Sequence, residues 1–343
     1  MSIERNPIQP IDDRLCTLVA RSLGEDPIGS ANPFRQCLVL EFPLPWAPEV
    51  TVSRGFPKGL LDAVKEARKE GEMPLLGVAP DPEYSTPGFT RVMMFRCPNP
   101  PFSVYGKEEY LVPSDRLVPF VKALIFRTEN LKAFSEYKDE TPNIRDLMVC
   151  THGTHDQCCG KFGYPLYTTL RRMCAEQNTS VRVWRTSHFS GHRFSPTLID
   201  FPEGRFWGNL TSQEDIARLT TRNGSLPDLD HCYRGWAGAS YIVQFAEREM
   251  FRREGWTWTH QRVSGRVTDA WTDVGHYRPE KPLWARIDGS LVRKARVEIE
   301  IDGNPNRTHE AIVEFSRIVT TLFDCIKRGN RGDSPQFRVT KLT

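Results

Sequence analysis

The chain carries its densest set of metal-binding side chains in Cys150-Thr-His-Gly-Thr-His-Asp-Gln-Cys-Cys159 and in Ser187-His-Phe-Ser-Gly-His-Arg193. The candidate ligands in these stretches are Cys150, His152, His155, Cys158, Cys159, His188 and His192. Thiolate and imidazole groups suit zinc or an iron–sulfur cluster far better than magnesium or calcium. Each stretch follows one strand of a predicted strand–helix–strand unit. The pattern therefore predicts a metal centre, and the alternative is a set of ordinary buried cysteines and surface histidines.

Length and composition describe a globular protein of more than one domain. The 343 residues are enough for two or three domains, each with its own core. Hydrophobic residues make up 39% and charged residues 26% of the chain, which is ordinary for a soluble protein. The net charge of +3 is too balanced to predict binding to nucleic acid or to a membrane surface. No apolar run approaches the roughly 20 residues that a membrane span needs.

Two features predict a cytoplasmic location. The first twenty residues contain Arg5, Asp12, Asp13 and Arg14 and lack an apolar core, unlike a secretory signal. The chain also has nine cysteines, an odd number. In a reducing compartment such cysteines serve as core residues or metal ligands more often than as disulfides.

Two segments of the chain repeat one order of predicted elements: strand, helix, strand, strand, helix. In the first segment the strands are 37–42, 75–79 and 90–95, and the helices follow Pro57 and Ser114. In the second segment the strands are 146–150, 181–186 and a hairpin within 198–210, and the helices follow Pro165 and Ser212. This order is typical of a thioredoxin-like domain. The sequence therefore predicts an α/β protein with two thioredoxin-like domains in tandem, the second of which holds the metal.

The remaining third of the chain differs from that pattern. A helix is predicted over 240–254, and the alternation of Val297, Ile299 and Ile301 predicts a strand. A long helix is predicted from Thr308, lined by Ile312, Phe315, Val319, Phe323 and Ile326. The polar last fifteen residues are predicted to be frayed. The predicted organisation is thus a metal-free N-terminal thioredoxin-like domain (1–130), a metal-binding thioredoxin-like domain (141–232) and a C-terminal α+β region (233–343).

Several motifs resemble those of the sucrase/ferredoxin-like proteins, a group of thioredoxin-like ferredoxins. They are Cys150-x-His-Gly-x-x-Asp-x-x-Cys159-Gly, then His-x-x-Gly-His-x-Phe from His188, Pro202-Glu-Gly204 and Tyr233-Arg-Gly-Trp236. The resemblance implies a [2Fe-2S] cluster whose ligands are Cys150, Cys159, His188 and His192. The family often has arginine at the position of His155 and has no cysteine at the position of Cys158. The label "sucrase" implies sugar cleavage, but the chain shows no paired-carboxylate motif for that reaction.

The residues next to the four implied ligands have simpler interpretations. Cys158 is expected to point away from Cys159 in an extended loop, as a core residue or spare thiol. His152 and His155 are expected to form hydrogen bonds within their loop. Gly160, Gly163 and Gly191 are expected to allow close approach of the backbone.

Other metal chemistries fit the spacing less well. Cys150-Thr-His152 matches the first box of a Rieske centre, but the sequence has no second Cys-x-x-His box. Zinc with the same four ligands is the main alternative because His-x3-His is an ordinary zinc spacing. However, the eight residues between Cys150 and Cys159 exceed the two to four that are usual in structural zinc sites. A third alternative, a thiol oxidoreductase that uses Cys158 or Cys159, lacks the Cys-x-x-Cys motif.

The function expected from these observations is electron transfer. Two thiolates and two imidazoles leave the oxidised cluster neutral, which raises the reduction potential as in Rieske centres. The second nitrogen of an iron-bound imidazole can also couple electron uptake to proton uptake. The sequence lacks a Gly-rich nicotinamide or flavin fingerprint, so we expect a separate reductase as redox partner. The acceptor and any catalytic activity are open, and an electron carrier is favoured over an enzyme.

Overall fold

The computed structural model describes residues 14–70, 73–139, 144–177, 180–280, 283–326 and 330–343. Arg5, Asp12 and Asp13, on which the argument against a secretory signal depends, lie outside these residues. The helices are α1 (Cys16–Ser22), α2 (Leu61–Glu70), α3 (Leu117–Phe126), α4 (Gln157–Glu176), α5 (Gln213–Thr221) and α6 (Tyr241–Glu254). None of these described helices is both long and apolar enough to cross a membrane.

Nine of the described strands form one mixed sheet in the order β4-β3-β1-β2-β6-β5-β7-β8-β9. They are β1 (Gln36–Glu41), β2 (Leu75–Val78), β3 (Phe89–Arg96), β4 (Gly106–Pro113), β5 (Arg145–Cys150), β6 (Val181–Thr186), β7 (Leu198–Phe201), β8 (Arg205–Trp207) and β9 (Tyr233–Trp236). Helices alternate with these strands along the chain, which confirms the predicted α/β class.

The sheet contains the same arrangement twice. β1 pairs in parallel with β2 and antiparallel with β3, and β3 pairs with β4. β5 likewise pairs in parallel with β6 and antiparallel with β7, and β7 pairs with β8. One antiparallel bridge, between Val78 of β2 and Thr186 of β6, joins the two sets. The carboxyl ends of β5 and β6, which carry the two predicted ligand stretches, therefore lie side by side.

The two halves of the sheet also pack face to face. The ring of Phe95 on β3 stacks on that of Phe201 on β7, with centroids 3.9 Å apart. Val39 and Met93 of the first half share one buried core with Leu147 and Val183 of the second. The opposite face of the first half is covered by α2 and α3, which enclose a separate core.

A buried network of charges joins the two halves. Glu109 on β4 accepts hydrogen bonds from the guanidinium of Arg182 on β6 at 2.8 and 2.9 Å. Lys107 on β4 donates to Asp146 on β5 at 2.7 Å, and Arg182 also donates to Asp146 at 2.8 Å. Burial alone would raise the pKa of Glu109, but hydrogen bonding to Arg182 and the positive charges of Arg182 and Lys107 lower it to about 2.

We expect this carboxylate to make stability depend on pH in acid. Because the pKa of Glu109 is lower in the folded state than the ordinary 4.5, the unfolded state binds more protons between those values. The stabilisation is therefore present above about pH 4.5 and is lost as the pH falls towards 2, a change of roughly 3 kcal/mol. Urea denaturation of the wild type and Glu109→Gln at pH 6 and pH 3 measures it.

The variant should be less stable than the wild type at pH 6 and should lose less stability on acidification. Glu176→Gln is the control, since this carboxylate is 59% exposed in its ion pair with Arg172. Equal acid sensitivity of Glu109→Gln and the wild type would contradict the assignment.

The C-terminal region forms a second, antiparallel sheet around the buried helix α6. Its described strands are β10 (Val263–Thr272), β11 (His276–Tyr277), β12 (Arg286–Ile287), β13 (Ser290–Ile301), β14 (Asn304–Leu322) and β15 (Arg331–Leu342). Their order is β11-β10-β13-β14-β15, and β12 pairs with β13. α6 is buried on most sides because it packs against strands of both sheets.

The long helix predicted from Thr308 is wrong, as is the frayed terminus. Residues 304–322 form β14, which pairs with β13 and along its other edge with β15. Asp302 and Gly303, with φ of 56° and 65°, connect β13 to β14 as a two-residue hairpin turn. Ala311 and Val313 then enter the core at the spacing of a strand, and Ile318 and Ile326 of the predicted helix are exposed. The apolar residues at helical spacing therefore misled the prediction.

Candidate metal centre

The first ligand stretch is held by the start of α4. β5 ends at Cys150, and the carboxylate of Asp156 caps α4 by accepting a hydrogen bond from the backbone N–H of Cys158 at 2.8 Å. Cys158 and Cys159 therefore lie in the first helical turn, and the predicted extended loop is wrong at this point. The helix begins eight residues before Pro165, which lies inside it rather than opening it.

Glycines bring α4 very close to the end of β5. A Cβ atom at Gly163 would lie 1.9 Å from the carbonyl oxygen of Cys150. A Cβ atom at Gly160 would lie 2.8 Å from the Cα of Gly153 in the preceding loop. Both approaches require residues without side chains. The close packing brings the thiols of Cys150 and Cys159 towards each other.

Three of the four implied ligands come together at one point. The Nδ1 atom of His188 is 3.9 Å from the Sγ of Cys150 and 3.5 Å from the Sγ of Cys159. The potential ligand atoms of this trio all lie within 4.8 Å of one another. Both cysteines are buried, and His188 is half-buried.

The fourth, His192, lies on the far side of His188. Ring centroids of His188 and His192 are 5.0 Å apart, and these two side chains form a second group within 4.8 Å together with His155. The Nε2–H of His192 donates to the carbonyl oxygen of Phe323. That bond leaves Nδ1 as an unprotonated nitrogen, which is buried and has no hydrogen-bond partner among the described residues. This orphan atom suits a ligand role.

The other two histidines of the motif behave differently from each other. His152 uses both nitrogens, since Nε2–H donates to Ala47 at 2.8 Å and Nδ1 accepts from the backbone of His188 at 3.1 Å. His155 donates from Nδ1 to Pro48 at 2.8 Å, so its Nε2 carries a lone pair. Its ring stacks on His188 with centroids 3.9 Å apart. His155 was expected to form hydrogen bonds in preference to binding a metal, but its potential ligand atom also lies within 4.8 Å of those of His188 and His192.

The pKa shifts of His188 and Cys159 both favour the neutral form of the side chain. Burial and the neighbouring His155 and His192 hold the pKa of His188 well below its usual value. The hydrogen bond to Cys150, together with burial, raises the pKa of Cys159 well above that of a free thiol. The N–H of Ser190 donates to Nε2 of His188 at 3.0 Å, so the proton of this ring sits on Nδ1 and faces the two thiols. A bound cation would replace these protons.

A buried arginine lies next to the thiols. Arg234 is fully buried and donates to Ser30 and to the carbonyl of Ser190, and among the described residues no carboxylate forms an ion pair with it. Burial lowers its pKa to about 9, with a further decrease from Arg193. In the sequence this residue stands out only as part of Tyr233-Arg-Gly-Trp236, and no role was predicted for it. Cys150 and Cys159 act against this decrease in the pKa of Arg234, as expected for thiols close to a guanidinium.

Comparison with known proteins finds distant relatives among curated proteins. Two curated relatives are each named Altered inheritance of mitochondria protein 32. The protein of Meyerozyma guilliermondii is 24% identical over 142 residues, which cover 38% of this chain and 49% of the relative. That of Debaryomyces hansenii is 25% identical over 141 residues, 37% of this chain and 50% of the relative. The chain thus spans about half the length of the curated relatives it matches. No solved structure matches.

A family model described as sucrase/ferredoxin-like matches residues 27–235, which is more than half of the chain and includes all four implied ligands. The match also covers the capping residue Asp156 and the buried Arg234. This chain therefore belongs to the sucrase/ferredoxin-like family, as the motifs predicted.

Proposed function

We propose that this protein is an electron carrier that binds a [2Fe-2S] cluster through Cys150, Cys159, His188 and His192. The observation that carries the proposal is the grouping of the ligand atoms. The buried thiols of Cys150 and Cys159 lie next to the imidazole of His188. That imidazole lies next to the one of His192, whose Nδ1 has no hydrogen-bond partner among the described residues. An elongated set of donors of this kind suits two adjacent irons, one with thiolates and one with imidazoles. A single tetrahedral zinc ion would need all four donors around one point.

The proposal includes two thioredoxin-like domains, the second of which holds the cluster. The strand pairings in the two halves of the nine-stranded sheet support it, because each half has its first strand in the interior between a parallel and an antiparallel neighbour. The helices α2 and α4 each connect the two parallel strands of a half. Parallel strands require such a crossover connection.

Anaerobic purification of the full chain tests the cofactor. We expect a red-brown protein with about two irons and two acid-labile sulfides per chain, and an electron paramagnetic resonance signal on reduction. A colourless protein whose metal at the Cys150–His188 group is zinc would instead support the zinc alternative. A thiol oxidoreductase is less well supported, because a reactive thiol must be accessible and both Cys158 and Cys159 are fully buried.

We also propose that electron uptake is coupled to proton uptake at a histidine ligand. The Nε2–H of His192 faces the Phe323 carbonyl, and the side chain is half-buried, so this proton can exchange with solvent. Loss of this proton is easier from the oxidised state, so the potential falls as the pH rises through the oxidised-state pKa. The limiting slope for one electron and one proton is about 59 mV per pH unit.

Redox titrations between about pH 6 and pH 10 measure this slope, and His188→Cys/His192→Cys is the comparison. The double variant should have a lower potential with a flat pH dependence, because four thiolates make the oxidised cluster a dianion and remove the exchangeable proton. A wild-type potential that is constant across this range contradicts coupling through either histidine.

The proposal also covers the redox partners of the protein and its location in the cell. Since the thiols are buried and His155, His188 and His192 are half-buried, a separate reductase and an acceptor protein would approach from the histidine side. We propose the cytoplasm as the location, whereas the names of the two relatives refer to mitochondria. Fractionation of cells that express the tagged full chain distinguishes the two compartments.

A further inference from the structure

A second group of cysteines lies on the opposite side of the first turn of α4. The Sγ atoms of Cys16, Cys158 and Cys325 form a triangle with sides of 3.3, 3.4 and 3.6 Å. The three residues come from α1, from α4 and from the segment after β14. They are therefore far apart in the sequence and are brought together only by the fold. All three are buried, and none belongs to the set implied by the family motif.

Asp156 completes this group with a carboxylate. Its Oδ1 atom is 3.9 Å from the Sγ of Cys16, and the four potential ligand atoms lie within 4.8 Å of one another. The same carboxylate accepts hydrogen bonds from the backbone N–H groups of Cys158 at 2.8 Å and Cys325 at 2.9 Å. The backbone N–H of Cys16 in turn donates to the Sγ of Cys325 at 3.3 Å. These bonds orient the side chains towards a common centre.

The dimensions of the group suit one metal ion. Four ligands around zinc at about 2.3 Å place the sulfur atoms roughly 3.8 Å apart, only a few tenths of an ångström more than observed. A disulfide needs about 2.05 Å and joins only two of the three thiols. A second iron–sulfur cluster usually needs four cysteines, and here the fourth donor is an oxygen. Three thiolates exclude magnesium and calcium.

We propose that Cys16, Cys158, Cys325 and Asp156 bind one structural zinc ion, separate from the proposed cluster. The three thiols lose their protons to solvent on binding, and all four positions are filled by protein, which is typical of a structural rather than a catalytic site. In this arrangement Cys158 would bind the zinc ion, whereas its neighbour Cys159 would bind the cluster. Cys16 lies within 1–130, for which the sequence predicts no metal, so the proposal revises that prediction.

The zinc would connect α1, the start of α4 and the segment after β14. It would hold α1 against the start of α4 and fix the segment after β14, two residues from the Phe323 carbonyl that accepts a hydrogen bond from His192. Thr17, next to Cys16, donates to the carbonyl of Ser195 at 2.8 Å, so α1 also contacts the turn that contains His192. The site is therefore placed to stabilise the loop that carries the second imidazole.

Metal analysis of the purified full-length chain tests this proposal. The wild type should contain about one zinc per chain in addition to iron. Cys16→Ser and Cys325→Ser should each lose the zinc and keep the iron, while Cys159→Ser should lose the iron and keep the zinc. Cys97→Ser, at a cysteine in neither group, should lose neither. Asp156→Asn retains a capping residue for α4 but should weaken zinc binding at least about 10-fold.

A second measurement starts from a chain in which all four proposed zinc ligands are intact. Co²⁺ added to metal-free Cys150→Ser/Cys159→Ser chain should give the intense visible bands of tetrahedral thiolate coordination, and a further Cys325→Ser change should remove them. Wild-type chain without zinc, zinc retained in Cys325→Ser, copper in place of zinc, or a disulfide between two of the three cysteines would each overturn the proposal. Because iron and zinc respond to different cysteines, failure here leaves the proposed cluster intact, and the reverse also holds.

Discussion

Replacing Cys159 with serine is expected to remove the iron and the visible absorption of the protein, whereas replacing its neighbour Cys158 leaves both in place. The first turn of α4 separates the two side chains. The Sγ of Cys159 lies 3.5 Å from His188, while the Sγ of Cys158 lies 3.3 Å from Cys325 in the other group. A serine hydroxyl is a poor substitute for a thiolate ligand to iron, so the iron content should fall from about two per chain to near zero.

The same experiment on the partner thiol completes the assignment. Cys150→Ser should behave like Cys159→Ser, because Cys150 lies 3.9 Å from the same nitrogen of His188. Iron and sulfide content and the visible spectrum of anaerobically purified protein are the measurements, and circular dichroism shows whether each variant is folded. Bleaching by Cys158→Ser but not by Cys159→Ser would mean that the ligand has been assigned to the wrong one of the two cysteines.

Local patterns in the sequence predicted the repeated α/β units well. Short apolar runs such as Cys37–Phe42 and Asp146–Cys150 are buried strands because helices and strands cover both faces of the sheet. The single bridge between Val78 and Thr186 and the stacking of Phe95 on Phe201 were beyond prediction. Those contacts join residues about a hundred positions apart, and periodicity carries no information about them.

The C-terminal error had a recognisable cause. Ile312, Phe315, Val319, Phe323 and Ile326 follow helical spacing by coincidence, and the spacing outweighed a better local signal. Asp302-Gly303 lies between residues rich in Val, Ile and Thr, and an Asp-Gly pair in that context is a strong hairpin signal. Helical and strand periods are hard to separate in a segment with so many charged residues.

For the candidate site, too, the sequence could predict local features but not contacts between distant residues. The resemblance implied Cys150, Cys159, His188 and His192, two pairs that are each local to one stretch, and the structure brings three of these residues together. The proximity of Arg234 and Cys325 to these stretches could not be predicted, since each comes from a distant part of the chain. Cys16 and Cys325 are 309 positions apart and yet their Sγ atoms are 3.4 Å apart. An isolated cysteine gives no sequence signal of its partners.

Gly163→Ala is expected to destabilise the protein and to impair iron binding, although the residue is no ligand. Its added Cβ would lie 1.9 Å from the carbonyl oxygen of Cys150. That oxygen belongs to the backbone at the end of a central strand and cannot rotate away, so α4 must move by more than 1 Å relative to β5. Because Cys150 ends β5 and Cys159 lies on α4, this displacement separates the two thiols.

We expect a loss of at least about 2 kcal/mol in unfolding free energy, together with a clear loss of iron. Gly106→Ala is the matched control, because a Cβ there would lie 3.7 Å from the nearest atom, in ordinary contact. Alanine also favours a helix over glycine by about 1 kcal/mol, so propensity alone would make Gly163→Ala more stable. Urea denaturation and iron analysis of both variants therefore separate the two effects: a stabilised Gly163→Ala with full iron content would show that α4 and β5 are not in close contact.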